Sequence, residues 1–381
     1  MLMTTNILLT DMKHYFLFIL LSAAIATGGC TEELQPQTCG TNGTVPDESE
    51  LTEAVLNLSV NAFVVEAQAE TRASIPSGTP EKETPEEKEI HNIWVFQYDA
   101  ATKELLIKPR YYTITDQAML QDLPVYLKAG VPSVVYVVTN TGYDNWANDG
   151  TDASWQKFKQ LEQLKKQTLP TAFPLRSIDK VSIPMAGASE EVEVTTGITV
   201  TVPVTRMYAK LKVKVEMRKA EMELNNVNVR QIPNICRVET LAGDGKGEPM
   251  EPVPFPDETT FSSIAFAASD LEKNEDKEWA VFYVPENLQG ETQTQGGNKS
   301  DAAPSNALVV DITTEIGGER YLYAAYPGGN SLNNFNIQRN QVYRITVTIT
   351  GEKNQNNPSA NCFVVKPDGF LSFEPYYRVE T

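Results

Sequence analysis

The chain has 381 residues, with 32 Lys and Arg against 50 Asp and Glu, a formal net charge of −18, 2 His and 4 Cys. That acidity excludes a nucleic-acid binder, which needs basic side chains to replace phosphate counterions, and it offers no polybasic patch to an anionic membrane. A hydrophobic share of 41% with 22% charged residues excludes wholesale disorder, and the length suggests two domains with appendages.

The N-terminus reads as an export signal. Met12-Lys13-His14 is a short basic start, and Tyr15 to Ile25 is apolar. A transmembrane helix needs about 20 apolar residues, so this run is the core of a signal peptide spanning residues 1–29. Thr27-Gly28-Gly29-Cys30 resembles the bacterial lipobox, in which the Cys is lipidated and becomes the first mature residue. The alternative is an ordinary secretory signal with an incidental Cys. One acyl chain holds a protein marginally, and several anchor it stably. The acidic Thr31-Glu32-Glu33 reads either as a surface-sorting tail or as a solvated linker.

Residues 31–50 are rich in Thr, Gly, Pro and acids, and form a tether. In 51–70 the side chains of Leu56, Leu58, Val60, Ala62 and Val64 alternate with Asn57, Ser59 and Asn61, the period of a half-buried strand. A polar, Pro-containing stretch follows, with Arg72 and Ala73 at its start. Residues 30–72 carry eight carboxylates against Arg72 alone, a net of −7.

Strands are predicted at Ile93–Tyr98, Leu105–Ile114, Leu123–Lys128 and Val134–Thr139, separated by Gly, Pro and Asn. The last is apolar on both faces and should be central. Ser154–Leu169 has helical spacing through Phe158, Leu161, Leu164 and Lys165, with Ser154 as N-cap and Pro170 as terminator. The Asp- and Asn-rich loop before it fails the EF-hand register, since Trp146 and Asp149 fall where a ligand and Gly are needed; it reads as a solvated turn. Further strands are predicted at Val192–Thr195, Ile198–Val204, Leu224–Val229, Glu278–Val284, Ala307–Thr313, Glu319–Ala325 and Gln341–Thr350, the last with Tyr343, Ile345, Val347 and Ile349 inward. Ala209 to Arg218 alternates most clearly, with Lys210, Lys212, Lys214, Glu216 and Arg218 expected to face water along an antiparallel strand. Gly290–Ser305 reads as a mobile loop. Many short strands with turn signals indicate an all-β, sandwich architecture.

Nothing in the sequence demands catalysis. His91 sits beside a predicted strand and reads as a strand-edge residue, and two histidines cannot supply a three-His zinc site. Cys39, Cys236 and Cys362 form no C-x-x-C pair and read as mostly free, buried thiols. No nucleotide-binding, nucleophile-elbow or zinc-protease motif occurs, and no cofactor or metal is called for. A glycan-binding surface would need exposed aromatic platforms, and Trp94, Trp146, Trp155 and Trp279 are the only Trp; each reads first as core or helix packing.

Four groups of residues carry a resemblance: the lipobox with the strand ending near Thr71-Arg72-Ala73; Pro184-Met185-Ala186-Gly187 with Arg206-Met207-Tyr208-Ala209-Lys210-Leu211; Phe282-Tyr283-Val284-Pro285-Glu286-Asn287; and Asn336 through Gly351. In order and spacing the chain resembles the fimbrillin family of Bacteroidetes type V pili, the FimA-like subunits. The resemblance implies two tandem transthyretin-like antiparallel β-sandwich domains, at 73–204 and 205–352, joined near Val204, Thr205 and Arg206. It implies a lipoprotein precursor anchored through Cys30 in the outer membrane and displayed at the cell surface. An Arg-specific protease would cut at Arg72 and leave Ala73 as the new N-terminus. The pro-segment, residues 30–72, would carry an exchangeable strand with Leu56, Leu58, Val60 and Val64, replaced by a strand from another fimbrial subunit. Residues 353–381 read either as donor strands or as the opening of a further, truncated domain. The alternatives are a pilus tip or accessory adhesin and, from another class, a surface glycan-binding lipoprotein.

Overall fold

The computed structural model describes residues 51–62, 64–65, 79–80, 83–142, 144–149, 151–170, 175–177, 179–180, 182–218, 220–239, 251–274, 277–292, 299–329, 333–349 and 376–380. All belong to the unit Thr38–Thr381. The signal peptide, Cys30, Cys39, Arg72, Ala73, Cys362 and most of residues 353–381 lie outside the described residues.

Strands dominate, as the alternating apolar pattern requires. In chain order they are β1 (Leu51–Val60), β2 (Val64–Val65), β3 (Thr79–Pro80), β4 (Asn92–Asp99), β5 (Arg110–Thr113), β6 (Leu123–Lys128) and β7 (Pro132–Thr139). There follow β8 (Thr168–Pro170), β9 (Leu175–Arg176), β10 (Met185–Ala188), β11 (Val192–Glu193), β12 (Thr199–Arg206), β13 (Tyr208–Met217) and β14 (Glu223–Pro233). The remainder are β15 (Ile235–Arg237), β16 (Phe261–Ala267), β17 (Ala280–Pro285), β18 (Val309–Ile316), β19 (Glu319–Ala325), β20 (Gln341–Ile349) and β21 (Tyr376–Glu380).

The first sheet runs β5-β4-β7-β10-β12-β1-β6, with β11 also on β7. It folds over on itself at β12. Val200 to Val204 pair with β1, whereas Thr205 and Arg206 pair with β10. The core lies between the two halves: Leu56, Leu58, Val125, Leu127, Val200 and Val202 meet Ile93, Val95, Val135 and Val137. The buried Gln97 of β4 crosses this layer, donating to the Lys128 carbonyl (2.9 Å) and accepting from the Lys128 amide (2.7 Å) of β6. As expected from its two apolar faces, β7 is central, with β4 on one side and β10 and β11 on the other.

The chain changes sheets between Arg206, which pairs with β10, and Tyr208, which pairs with β17. A second pair of sheets, β3-β2-β20-β13-β17-β9 and β16-β14-β18-β19-β21, encloses a core of Leu211, Val213, Phe282, Ile345, Val347, Val229, Ile312 and Tyr323 among others. Tyr343, Ile345, Val347 and Ile349 all face it. A third apolar cluster joins the outer face of β4 and β7 (Trp94, Phe96, Tyr98, Tyr136) to that of β17 and β20 (Val281, Tyr283, Val342).

Four expectations change. Ser154–Leu169 is not one helix but two single-turn helices, α1 (Asp152–Gln156) and α2 (Leu161–Lys165). The segment around Glu104 breaks it: Leu105 N–H donates to the Lys159 carbonyl and Leu161 N–H to that of Lys103, leaving Gln160 extended. Phe158, Leu161 and Leu164 still point into the third cluster. The cap residue is Thr151, not Ser154, with Asp149 accepting from the Thr151 amide and hydroxyl. Asp149 thus turns the chain into the helix. Within predicted Leu105–Ile114, only Arg110–Thr113 is strand, because Leu105 is held in a lone bridge to Tyr98.

The third change concerns β13. It is antiparallel to β17 but parallel to β20, and its polar face is in water only in part, with Lys212, Lys214 and Glu216 half-buried and Arg218 exposed. Lys210 is buried, Lys212 lies over the Trp279 ring at 5.2 Å, and Lys214 pairs with Glu278 at 2.8 Å. Packing of the third cluster against this face is the reason. The loop expected at Gly290–Ser305 is in part fixed, with Lys299 buried over the Phe335 ring at 4.8 Å.

Two predictions follow from packing. A Cβ on Gly187 would lie 1.9 Å from the Pro203 carbonyl oxygen, where β10 crosses β12. Gly187→Ala should therefore lower stability by about 1–3 kcal/mol, seen as a lower urea midpoint at unchanged slope. Cys236 is buried with its Sγ 3.6 Å from Met207 Sδ, and burial pushes its thiol up to about 12. Peptide mapping after iodoacetamide treatment at neutral pH should find Cys236 unlabelled in the folded protein and labelled in urea.

Candidate functional site: the slot of the N-terminal strand

β1 is an interior strand. It pairs in parallel with β12, Leu56 opposite Val200 and Leu58 opposite Val202, and antiparallel with β6, Ala54 opposite Val125 and Leu56 opposite Leu123. Ala54, Leu56 and Leu58 are buried, while Glu53 and Ser59 are exposed. Burying each Leu contributes roughly 1.5–3 kcal/mol. Among the described residues β6 has β1 as its only partner in the sheet, so it hangs on this segment. Pro124, opposite Val55, is tolerated because β6 is an edge strand.

Of the residues expected on one strand face, Leu56, Leu58 and Val60 meet the first core, Val60 partly buried. Val64 does not continue that face. The chain leaves the first sheet after Val60, and Val64 and Val65 pair in parallel with Gln341 and Val342 of β20, in the second sheet. The break at Asn61-Ala62 is held by polar groups. Asn61 N–H donates to the Val204 carbonyl (2.9 Å), and its side-chain amide to Thr205 Oγ1 (2.8 Å). Arg206 Nη1 donates to the Asn61 carbonyl (2.6 Å). Asn340 Nδ2 donates to the Ala62 carbonyl (2.7 Å).

Behind this break lies a buried ionic cluster. Arg206 is 0% exposed. Its Nε donates to the Glu87 carbonyl (2.9 Å), its Nη1 also to Asn340 Oδ1 (3.2 Å), and its Nη2 meets Glu83 Oε1 (2.8 Å). The Glu87 carboxylate is buried and accepts from Lys210 Nζ (2.7 Å), the Tyr283 hydroxyl (2.5 Å) and the Thr84 amide (3.0 Å). Two buried carboxylates thus offset two buried cations. Burial pulls the Arg206 guanidinium below its ordinary value, opposed by Glu83 and Glu87; it nonetheless stays charged. Burial, then the Glu87 charge, pushes the Tyr283 phenol up, so it remains a donor.

None of these cluster residues was singled out as a site from the sequence. One signal was present: in Thr199–Arg206 the inward phase reads Val200, Val202, Val204, Arg206, placing a cation at a core position. Asn340 has a φ of 57°, a conformation that Asn tolerates better than most residues.

The remaining candidates are accounted for. His91 precedes β4, with Nε2 3.6 Å from Glu89 Oε2. Trp94 and Trp155 are buried, and Trp146 and Trp279 pack against the third cluster, so none forms an exposed platform. Among the described residues there is no group of three or more His, Cys, Asp or Glu placed to hold a metal ion, and no helix is long and apolar enough to cross a membrane.

The family described as "Domain of unknown function (DUF4906)" matches residues 282–347. No curated protein matches the chain. Among solved structures, it is similar to a cell-adhesion candidate from Bacteroides eggerthii, at 16% identity and TM-score 0.46 over 89% of this chain and 97% of that one. It is similar to the tip fimbrial protein Mfa3 from Porphyromonas gingivalis with C-terminal truncation, at 14% identity and TM-score 0.46 over 86% and 99%. It is also similar to a fimbrial assembly protein from Parabacteroides distasonis, at 15% identity and TM-score 0.41 over 78% and 90%. These neighbours are cell-adhesion and fimbrial proteins, the class that the sequence resembles.

Removing one partner of a buried ion pair leaves the other uncompensated. Glu87→Gln should therefore destabilise the protein by about 3–5 kcal/mol. In the same denaturation experiment, Lys210→Met added to Glu87→Gln should cost less than Lys210→Met alone, giving a favourable coupling in a double-mutant cycle.

Proposed function

We propose that this chain is a structural subunit of a cell-surface fimbrium and that its work is polymerisation rather than catalysis. The observation that carries the reading is the place of β1. It fills the middle of a sheet yet belongs to the N-terminal end of the chain, upstream of Arg72. A cut at Arg72 would leave residues 51–65 held by non-covalent contacts alone. An apolar face of Ala54, Leu56 and Leu58 with backbone pairing on both edges is what another extended segment can replace like for like.

On this reading residues 1–29 direct export and Cys30 carries the lipid that holds the precursor at the outer membrane. An Arg-specific protease then cuts after Arg72, and Ala73 begins the mature subunit. Residues 73–204 and 205–352 are its two sandwich domains. A strand from a neighbouring subunit takes the vacated slot. Because donor and acceptor surfaces differ, the contact is heterologous and propagates into a filament. The packed Trp side chains count against a glycan-binding surface.

Treating the purified precursor with an Arg-specific protease should yield a ladder of polymers on gels and filaments by electron microscopy. Arg72→Ala should stay uncut, monomeric and lipid-anchored. Mature protein whose N-terminal sequence begins well away from Ala73 would sink the proposal.

A further inference from the structure

The alternation that seats β1 leaves its register ambiguous. A slip of one residue turns the apolar face outward and is excluded. A slip of two residues keeps every side chain on its own face and moves the strand by about 6.6 Å. The repeat Ala54, Leu56, Leu58, Val60 is nearly invariant under that slip, apart from the smaller Ala54. The backbone ladders on β12 and β6 are equally indifferent. Something outside the apolar pattern must select one register.

We infer that Arg206 and Asn340 form a carbonyl-reading stop that fixes the register of the strand seated between β12 and β6. The two donors read consecutive carbonyls, those of Asn61 and Ala62, at 2.6 and 2.7 Å. Arg206 is held by Glu83 and the Glu87 carbonyl, and Asn340 by its own N–H to the Tyr208 carbonyl (2.8 Å). The stop is therefore anchored in parts of the chain other than the strand it reads. Consecutive carbonyls point to opposite edges within an extended strand, so both donors are met only where the chain turns out of the sheet, at Asn61-Ala62. A two-residue slip would bring extended residues to the stop, offer it one carbonyl instead of two and leave a buried donor a partner short, which costs more than the bond itself contributes. The reading is of backbone, so it is indifferent to the side chains at the two positions. Resting on the proposed strand exchange, this defines the incoming segment. It is an extended stretch with apolar residues at every second position, whose chain leaves the sheet just past the last of them and presents two successive carbonyls there.

The test uses the full chain. Asn340→Asp and Asn340→Gly both tolerate the positive φ and remove the amide donor; the Asp variant keeps an oxygen for Arg206. Asn57 lies opposite Thr201 in the present register. Asn57→Cys with Thr201→Cys reports that register, and Asn57→Cys with Thr199→Cys reports the two-residue slip. With Asn340 intact, only the first pair should close. With either variant, the second should close measurably, and hydrogen exchange of the β1 amides should quicken about tenfold, the equivalent of one lost hydrogen bond, while β13 and β17 stay protected. Folded variants with unchanged cross-linking and unchanged exchange in β1 would overturn the stop. Separately, a labelled peptide of residues 51–65 is offered to protein nicked at Arg72. Entry supports the exchange reading. Failure to enter, with the slip still seen in the Asn340 variants, would refute exchange and leave the stop standing.

Discussion

A strand inside a sheet must have both of its edges paired, because buried amide and carbonyl groups without partners destabilise a fold. β1 meets this demand between β12 and β6, and the rest of the structure depends on its doing so. Among the described residues β6 has no other partner in the sheet. β12 uses its first six residues on β1 and only its last two on β10. The same segment then crosses to the second sheet and pairs with β20 through Val64 and Val65. Fifteen residues at one end of the chain therefore complete one sheet and stitch it to another.

The stitch runs through charge. Apolar contact is non-directional, and the third cluster of Trp94, Phe96, Tyr136, Val281 and Val342 could be satisfied by several relative placements of the sheets it joins. The ionic groups could not. Arg206 leaves β12, Lys210 and Tyr283 come from the second sheet, and Glu83 and Glu87 come from the segment before β4. Only one arrangement lets Glu87 accept from both Lys210 and Tyr283 while Arg206 reaches Glu83 and the Asn61 carbonyl. Desolvating such groups costs several kcal/mol per ion. Their return is a unique geometry rather than extra stability.

The all-β architecture was legible because half-buried strands write their period into the sequence. Leu123–Lys128 and Glu319–Ala325 were read residue for residue. What was missed was non-local. Ser154–Leu169 has helical spacing, and only the distant Lys103–Leu105 segment, through backbone bonds to Lys159 and Leu161, splits it. The Lys face of β13 alternates like a wet surface, and only the cluster packed over it makes Lys210 a core residue. Asn340 carries no local mark of its role, since its partner carbonyl lies 278 residues away in sequence.

The two ends of β1 are unequal, and this bears on how one strand could give way to another. At the Leu51 end the contacts are exposed, among them the Thr52–Thr196 hydroxyl pair at 2.7 Å. At the Asn61 end the donors Arg206 and Asn340 are buried residues, their bonds are partly buried, and that from Arg206 is charge-assisted, the stronger kind of hydrogen bond. An empty slot would take from β6 its one partner among the described residues and strip the apolar core of one wall, so wholesale departure before replacement is strongly disfavoured. Local opening begins where contacts are weakest and most exposed, which is the Leu51 end. An incoming strand entering there can pair with β12 and β6 as the old one peels away, keeping both edges satisfied at each step. The exchange would finish at Arg206 and Asn340, so the last contacts made are the ones that test whether the new strand is in register.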